Sequence, residues 1–134
     1  MSKSLIQTIN QTTQAVAVGG IISPGSVMRR FGCNCRLSGN AIEISGDGYY
    51  TIKATVTAQP TAAGTVTVVA QEDGVAIPSA FGSASTSTAG NPVTIPIVTT
   101  IRKGCNCQGA SNITFVLTEG AGNVTNISVL IEKA

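Results

Sequence analysis

Two copies of one four-residue word carry the only concentrated chemistry in this chain: Gly32-Cys33-Asn34-Cys35 and Gly104-Cys105-Asn106-Cys107. In an extended strand residues i and i+2 share a face, so each word is expected to present two thiols side by side. Three chemistries are open to such a set. The thiols stay free and partly buried, or disulfides join the two words, within one chain or between neighbours. In the third, Cys33, Cys35, Cys105 and Cys107 hold a zinc ion as four thiolates, although structural zinc usually takes cysteines spaced more widely. A bridge inside one word would close a very small, strained ring and is set aside. Disulfides are disfavoured during synthesis in the cytosol, but not after release into oxidising surroundings.

Nothing else in the sequence is arranged for catalysis. There is no histidine, which removes the commonest general base, the Ser-His and Cys-His pairings and the commonest neutral metal ligand. The six carboxylates, Glu43, Asp47, Glu72, Asp73, Glu119 and Glu132, are scattered, and the one adjacent pair sits at a turn tip. The glycines of Gly120-Ala121-Gly122 follow a strand without opening a helix, so they do not read as a phosphate loop. No catalytic residue and no cofactor is predicted.

The elements that must position the thiols are strands. Ser38-Gly39-Asn40 reads as a hairpin turn that pairs Phe31–Leu37 with Ala41–Ser45 and sets Cys33 opposite Ser45. Ile42 and Ile44 alternate with Glu43, and Gly46-Asp47-Gly48 supplies a tight turn. Beyond it Tyr50, Ile52, Ala54, Val56 and Ala58 fall on one face, with Tyr49, Thr51, Lys53, Thr55 and Thr57 on the other. Further strands are expected at Ala15–Val18, Val27–Phe31, Thr65–Gln71, Val75–Phe81 and Val93–Ile101, with Asp73-Gly74 as a hairpin turn. Pro78 marks an edge or interrupted strand, and Pro96 a place where no ladder bond is needed. Ile113–Thr118 and Val124–Glu132 read as a final hairpin, and Gly82–Asn91 and Lys103–Asn112 as loops. Residues 1–14 read as an N-terminal arm and 15–134 as one domain. With no helical period anywhere, the fold class is all-β, an antiparallel sandwich of about eight to ten short strands.

The segment Gly48-Tyr49-Tyr50-Thr51-Ile52 resembles the G-x-Y-x-F signature of the complement-globular-head and tumour-necrosis-factor-like jelly rolls, with Ile52 in place of Phe. Gly48, Tyr50 and Ile52 are the positions that carry it, and the resemblance covers roughly Phe31 to Ala134. Small jelly-roll proteins of bacterial viruses and of bacterial surface fibres are the nearest in kind. The resemblance implies a jelly roll that forms a homotrimer, one sheet of each subunit packing about the three-fold axis. It also implies that the Gly46–Gly48 turn and the loop carrying Cys105 and Cys107 lie at one end of the domain, where both words would meet.

Composition bears on partners. Only 10% of the residues are charged and the net charge is +2, where about a quarter is usual. Such a chain is either a sandwich with an uncharged polar skin or an oligomer that hides surface, and scarce charge favours the oligomer. The basic pairs Arg29-Arg30 and Arg102-Lys103 make no nucleic-acid footprint. No run is long enough for a membrane helix, so neither nucleic acid nor membrane is an expected partner. The opening MSKSLIQTINQTTQ has no secretory core, which points to synthesis in the cytoplasm and a destination on a virion surface or in an extracellular assembly. The expected role is structural: a homotrimer that decorates or extends a large assembly, such as a bacteriophage head fibre or capsid decoration, with capsid or fibre proteins as partners. A bacterial surface or spore filament subunit is the alternative within that class. A carbohydrate- or receptor-binding module is the alternative outside it. Against that module stand the lack of tryptophan and the few aromatics, Phe31, Tyr49, Tyr50, Phe81 and Phe115, most of them expected in the core or an interface.

Overall fold

A computed structural model describes residues 4–103 and 110–133 of the chain. Among these residues twelve strands follow one another without a helix. They are β1 (Leu5–Asn10), β2 (Gln14–Val16), β3 (Ile21–Ile22), β4 (Ser26–Phe31), β5 (Cys35–Ser38), β6 (Ala41–Ile44), β7 (Gly48–Pro60), β8 (Gly64–Glu72), β9 (Val75–Thr86), β10 (Val93–Lys103), β11 (Ser111–Glu119) and β12 (Gly122–Lys133). Sheet A runs β10-β7-β12-β1-β4 with β2 added on β12; sheet B runs β5-β6-β11-β8-β9 with β3 added on β11. The two antiparallel sheets face each other as a jelly-roll sandwich.

The core lies between them, supplied by alternate residues of the strands other than β4, whose six residues are all exposed. Tyr50, Ile52, Val56, Ile127, Val129 and Ile131 point in from sheet A, and Ile42, Ile44, Val66, Val68, Phe115 and Leu117 from sheet B. The side of β7 expected to face the core does so, because a half-buried strand tolerates no slip of one residue. Asp73-Gly74 closes the β8–β9 hairpin, in which Glu72 pairs with Val75. Pro78 and Pro96 sit on outer strands, Pro78 on β9, followed by Ser79 at φ 68°, and Pro96 on β10.

Three expectations need correction. Residues 5–10 are a strand inside sheet A, hydrogen-bonded to β12 on one side and β4 on the other, not part of an arm. Only Ile6 and Thr8 of that segment point into the core, too few apolar residues to register as a strand pattern. Next, β11 and β12 form no hairpin. They belong to opposite sheets, and the Gly120–Ala121 link carries the chain across the core edge. Both present an apolar face to the same core, so alternation alone cannot separate the two arrangements. Finally, residues 82–86 continue β9 instead of opening a loop. At Gly82 a Cβ atom would lie 2.6 Å from Ile95 Cγ2 and 2.8 Å from the Pro96 carbonyl oxygen, so β10 packs over β9 where only a bare backbone fits.

Thr8 is fully buried, and its hydroxyl has no hydrogen-bond partner among the described residues. A buried hydroxyl without a partner costs free energy that an isosteric methyl does not. Thr8→Val is therefore expected to stabilise the fold by about 1 kcal/mol, read as a higher urea midpoint. A lowered midpoint would show that the hydroxyl is bonded in solution.

Candidate assembly surfaces

The end of the sandwich that carries the first cysteine word is held by Asn34. Its side-chain oxygen accepts from Ser4 Oγ at 2.5 Å, and its Nδ2 donates to the Ser45 carbonyl at 2.7 Å. Its own carbonyl accepts from the Ser45 N–H at 2.8 Å, so Asn34, and not Cys33, lies opposite Ser45. The Tyr50 hydroxyl reaches the same turn and donates toward the carbonyls of Ser45 and Gly46, at 2.9 and 3.0 Å. Gly46 has φ 91°, and a Cβ there would collide with Asn34 Nδ2; both facts require glycine. Gly48 pairs with Lys103, and the Lys133 stem lies against it.

The two thiols of this word are not side by side. Gly32 at φ 80° turns the chain out of β4, so residues 32–34 form a bend in place of a strand. Cys33 is exposed, whereas Cys35, the first residue of β5, is 1% exposed and faces the core. Burial pushes the Cys35 thiol up to about 11, against the opposing pull of Arg30 and Lys133. Burial likewise raises Tyr50. A C-x-C chelate needs both sulfurs on one side, and this word does not offer that. Cys105 and Cys107 lie outside the described residues, and with them the disulfide pairing and the four-thiolate zinc alternative. Lys103 is in register with Gly48, and Ser111 and Cys35 are both in register with Ile44.

The outer face of sheet A is an ordered polar surface with few charges. One row across it reads Thr100, Thr51, Glu132, Leu5 and Phe31; the next Val98, Lys53, Leu130, Gln7 and Arg29; a third Pro96, Thr55, Ser128, Ile9 and Ser26. Arg102 lies over the Tyr49 ring at 5.9 Å. Among the described residues Glu132 is the one carboxylate on this face, and it makes no ion pair with them. Among the described residues the one ion pair is Arg36–Glu43 on sheet B, at 3.0 Å.

Sheet B carries a different outer feature. Phe81, Val69, Val116 and Ile21 stand in one row across β9, β8, β11 and β3, an apolar band on an otherwise hydroxyl-rich face. Phe81 and Ile21 are 61% and 48% exposed. Phe31 and Tyr49 are exposed too, so only Tyr50 and Phe115 of the five aromatics serve the core. The sequence pattern could have found this band only with the pairing order of the strands in hand, because its members lie far apart along the chain.

The whole described fold aligns with solved jelly rolls. Murine APRIL aligns with a TM-score of 0.75 at 12% identity, covering 99% of this chain and 100% of that one. The globular domain of zebrafish complement 1qA aligns with a TM-score of 0.69 at 5% identity, covering 96% and 94%. PRD1 vertex protein P5 aligns with a TM-score of 0.62 at 12% identity, covering 97% and 96%. No protein-family model and no curated protein sequence matches the chain. At these identities the likeness establishes the fold: the chain has the jelly roll that its Gly48, Tyr50 and Ile52 signature resembles.

Proposed function

We propose that this chain is a non-enzymatic structural subunit that forms a homotrimer through the outer face of sheet A. The trimer decorates or extends a large assembly, with a bacteriophage head fibre or capsid decoration as the first choice and capsid or fibre proteins as its neighbours. A virion surface or an extracellular assembly is the place such a subunit occupies. The observation that carries the reading is the sheet A face itself. It is a broad face whose rows are mostly threonine, serine and apolar side chains, with Lys53, Glu132 and Arg29 set among them, on a chain that has little charge elsewhere to keep it apart in water. Its apolar side chains gain by leaving water, while its hydroxyls and charges need partners across the interface. Likeness to a vertex protein and to complement and APRIL heads supports a module of this kind.

Sedimentation velocity at micromolar concentration tests the trimer. Thr55 is exposed in the centre of the face, so Thr55→Asp leaves the protomer folded. It would bury an unpaired carboxylate in the trimer, at a cost of several kcal/mol. The expected result is a trimer for the parent chain and a monomer for the variant. A monomeric parent would end the reading.

A second reading, a receptor- or carbohydrate-binding module, is favoured by the apolar band Phe81, Val69, Val116 and Ile21. The exposed ends of that band, Phe81 and Ile21, stay uncovered when sheet A is covered. A subunit of a bacterial surface or spore filament is a further alternative within the structural class. A glycan array probed with the purified protein separates the structural from the binding reading.

A further inference from the structure

The sheet A face contains a charge arrangement that the described residues of a single protomer leave unresolved. Lys53 on β7 is exposed between Val98 and Leu130, its cross-strand neighbours. Glu132 on β12 is half-buried and pairs across the ladder with Thr51. The two charges are diagonal neighbours on adjacent central strands, yet they form no ion pair in the protomer. Arg102 is occupied by the Tyr49 ring, and Arg29 lies on the outer strand β4. The other carboxylates are on sheet B or in turns: Glu43 on β6, Asp47 before β7, Glu72 and Asp73 at the β8–β9 turn, and Glu119 at the end of β11.

Covering this face therefore buries one lysine and one glutamate in its middle strands, and a buried charge needs a partner. A face that packs against copies of itself around a three-fold axis brings its own complement: each copy offers one ammonium and one carboxylate. We propose that, in the trimer, Lys53 of each protomer pairs with Glu132 of the partner subunit, closing a ring of three ion pairs around the axis. This rests on the trimeric reading. The ring works as a registration device, because a rotated or slipped packing would leave both charges buried alone.

The test reads the concentration at which the trimer dissociates, by native mass spectrometry on dilution. Lys53→Glu alone and Glu132→Lys alone should each raise that concentration at least ten-fold. The milder Lys53→Gln and Glu132→Gln should move it the same way, which guards against a reversal variant that fails to fold. Mixing Lys53→Glu chains with Glu132→Lys chains should yield mixed trimers more stable than either variant by itself, because opposite charges then meet only across a subunit boundary. If the doubly exchanged chain recovers but the mixture does not, the pair lies within one protomer and the proposal fails. It fails equally if neither site moves dissociation in an intact trimer. A parent chain that is monomeric would instead overturn the trimer itself.

Discussion

Tyr50→Ala is expected to lower the stability of the fold by about 3–5 kcal/mol, the range for truncating a large buried ring. The ring is completely buried, and its hydroxyl donates to the carbonyls of Ser45 and Gly46, where the chain leaves sheet B for sheet A. Truncation therefore removes core volume and frees the crossing turn in one step. Tyr50→Phe separates the two contributions, since it keeps the ring and leaves the carbonyls without that donor. A loss of about 1–2 kcal/mol is expected for Phe. Urea unfolding of the three chains is the measurement. Equal midpoints for parent and Tyr50→Ala would mean that the ring does not fill the core.

The second large effect belongs to the thiols of the first cysteine word. Cys33 is exposed and Cys35 is buried with its pKa pushed up to about 11. Alkylation goes through the thiolate. At pH 8 a shift from 9.0 to about 11 cuts the Cys35 thiolate fraction roughly 100-fold, and burial slows access further. Iodoacetamide should therefore label Cys33 at least ~10 times faster than Cys35 in the folded chain, because the more basic Cys35 thiolate regains part of the loss in nucleophilicity. The same shift has a sign in stability. The folded pKa lies above the unfolded one, so its contribution is whole below about pH 9 and is lost as pH rises toward 11. The loss is of order 2–3 kcal/mol, at 1.36 kcal/mol per pH unit, and Cys35→Ala should flatten that part of the alkaline profile. Comparable labelling rates would show that β5 opens readily. A Cys33 that resists labelling until a reductant is added would instead favour the disulfide among the three chemistries open to the cysteine words, with Cys105 or Cys107 as its partner.

Which residues face the core was legible wherever strands alternate strongly. The Tyr50 to Ala58 run, the Ser38-Gly39-Asn40 turn and the Asp73-Gly74 hairpin all stand as their residue types require. Partnership was less legible, because a period of two says which side of a strand is apolar and nothing about which sheet it joins. That is why β11 and β12 read as a hairpin while lying on opposite walls of the core. Weak patterns hid real strands for specific reasons. Residues 5–10 have hydrogen-bonding partners on both sides but only two core-facing side chains. At Gly82 the β10 residues Ile95 and Pro96 leave no room for a side chain, so the apolar alternation of β9 breaks there. Among the thiols, one glycine at positive φ was enough to send Cys33 and Cys35 to different environments.

The outer strands of both sheets bear on what happens when many copies are crowded together. An open ladder of N–H and C=O groups invites another chain to add on, and repeated addition makes fibrils. Each flank of this sandwich carries an obstacle to that. On β4 the ladder to β1 shifts register around Met28, beside Arg29 and Arg30. On β10 Pro96 lacks a donor, on β9 Pro78 precedes Ser79 at φ 68°, and β5 is four residues long. Copies can then meet through their broad faces, where a rotational ring closes and stops, and not by open-ended polymerisation. A chain crowded among copies of itself would in this way stay discrete and resist becoming the seed of an amyloid.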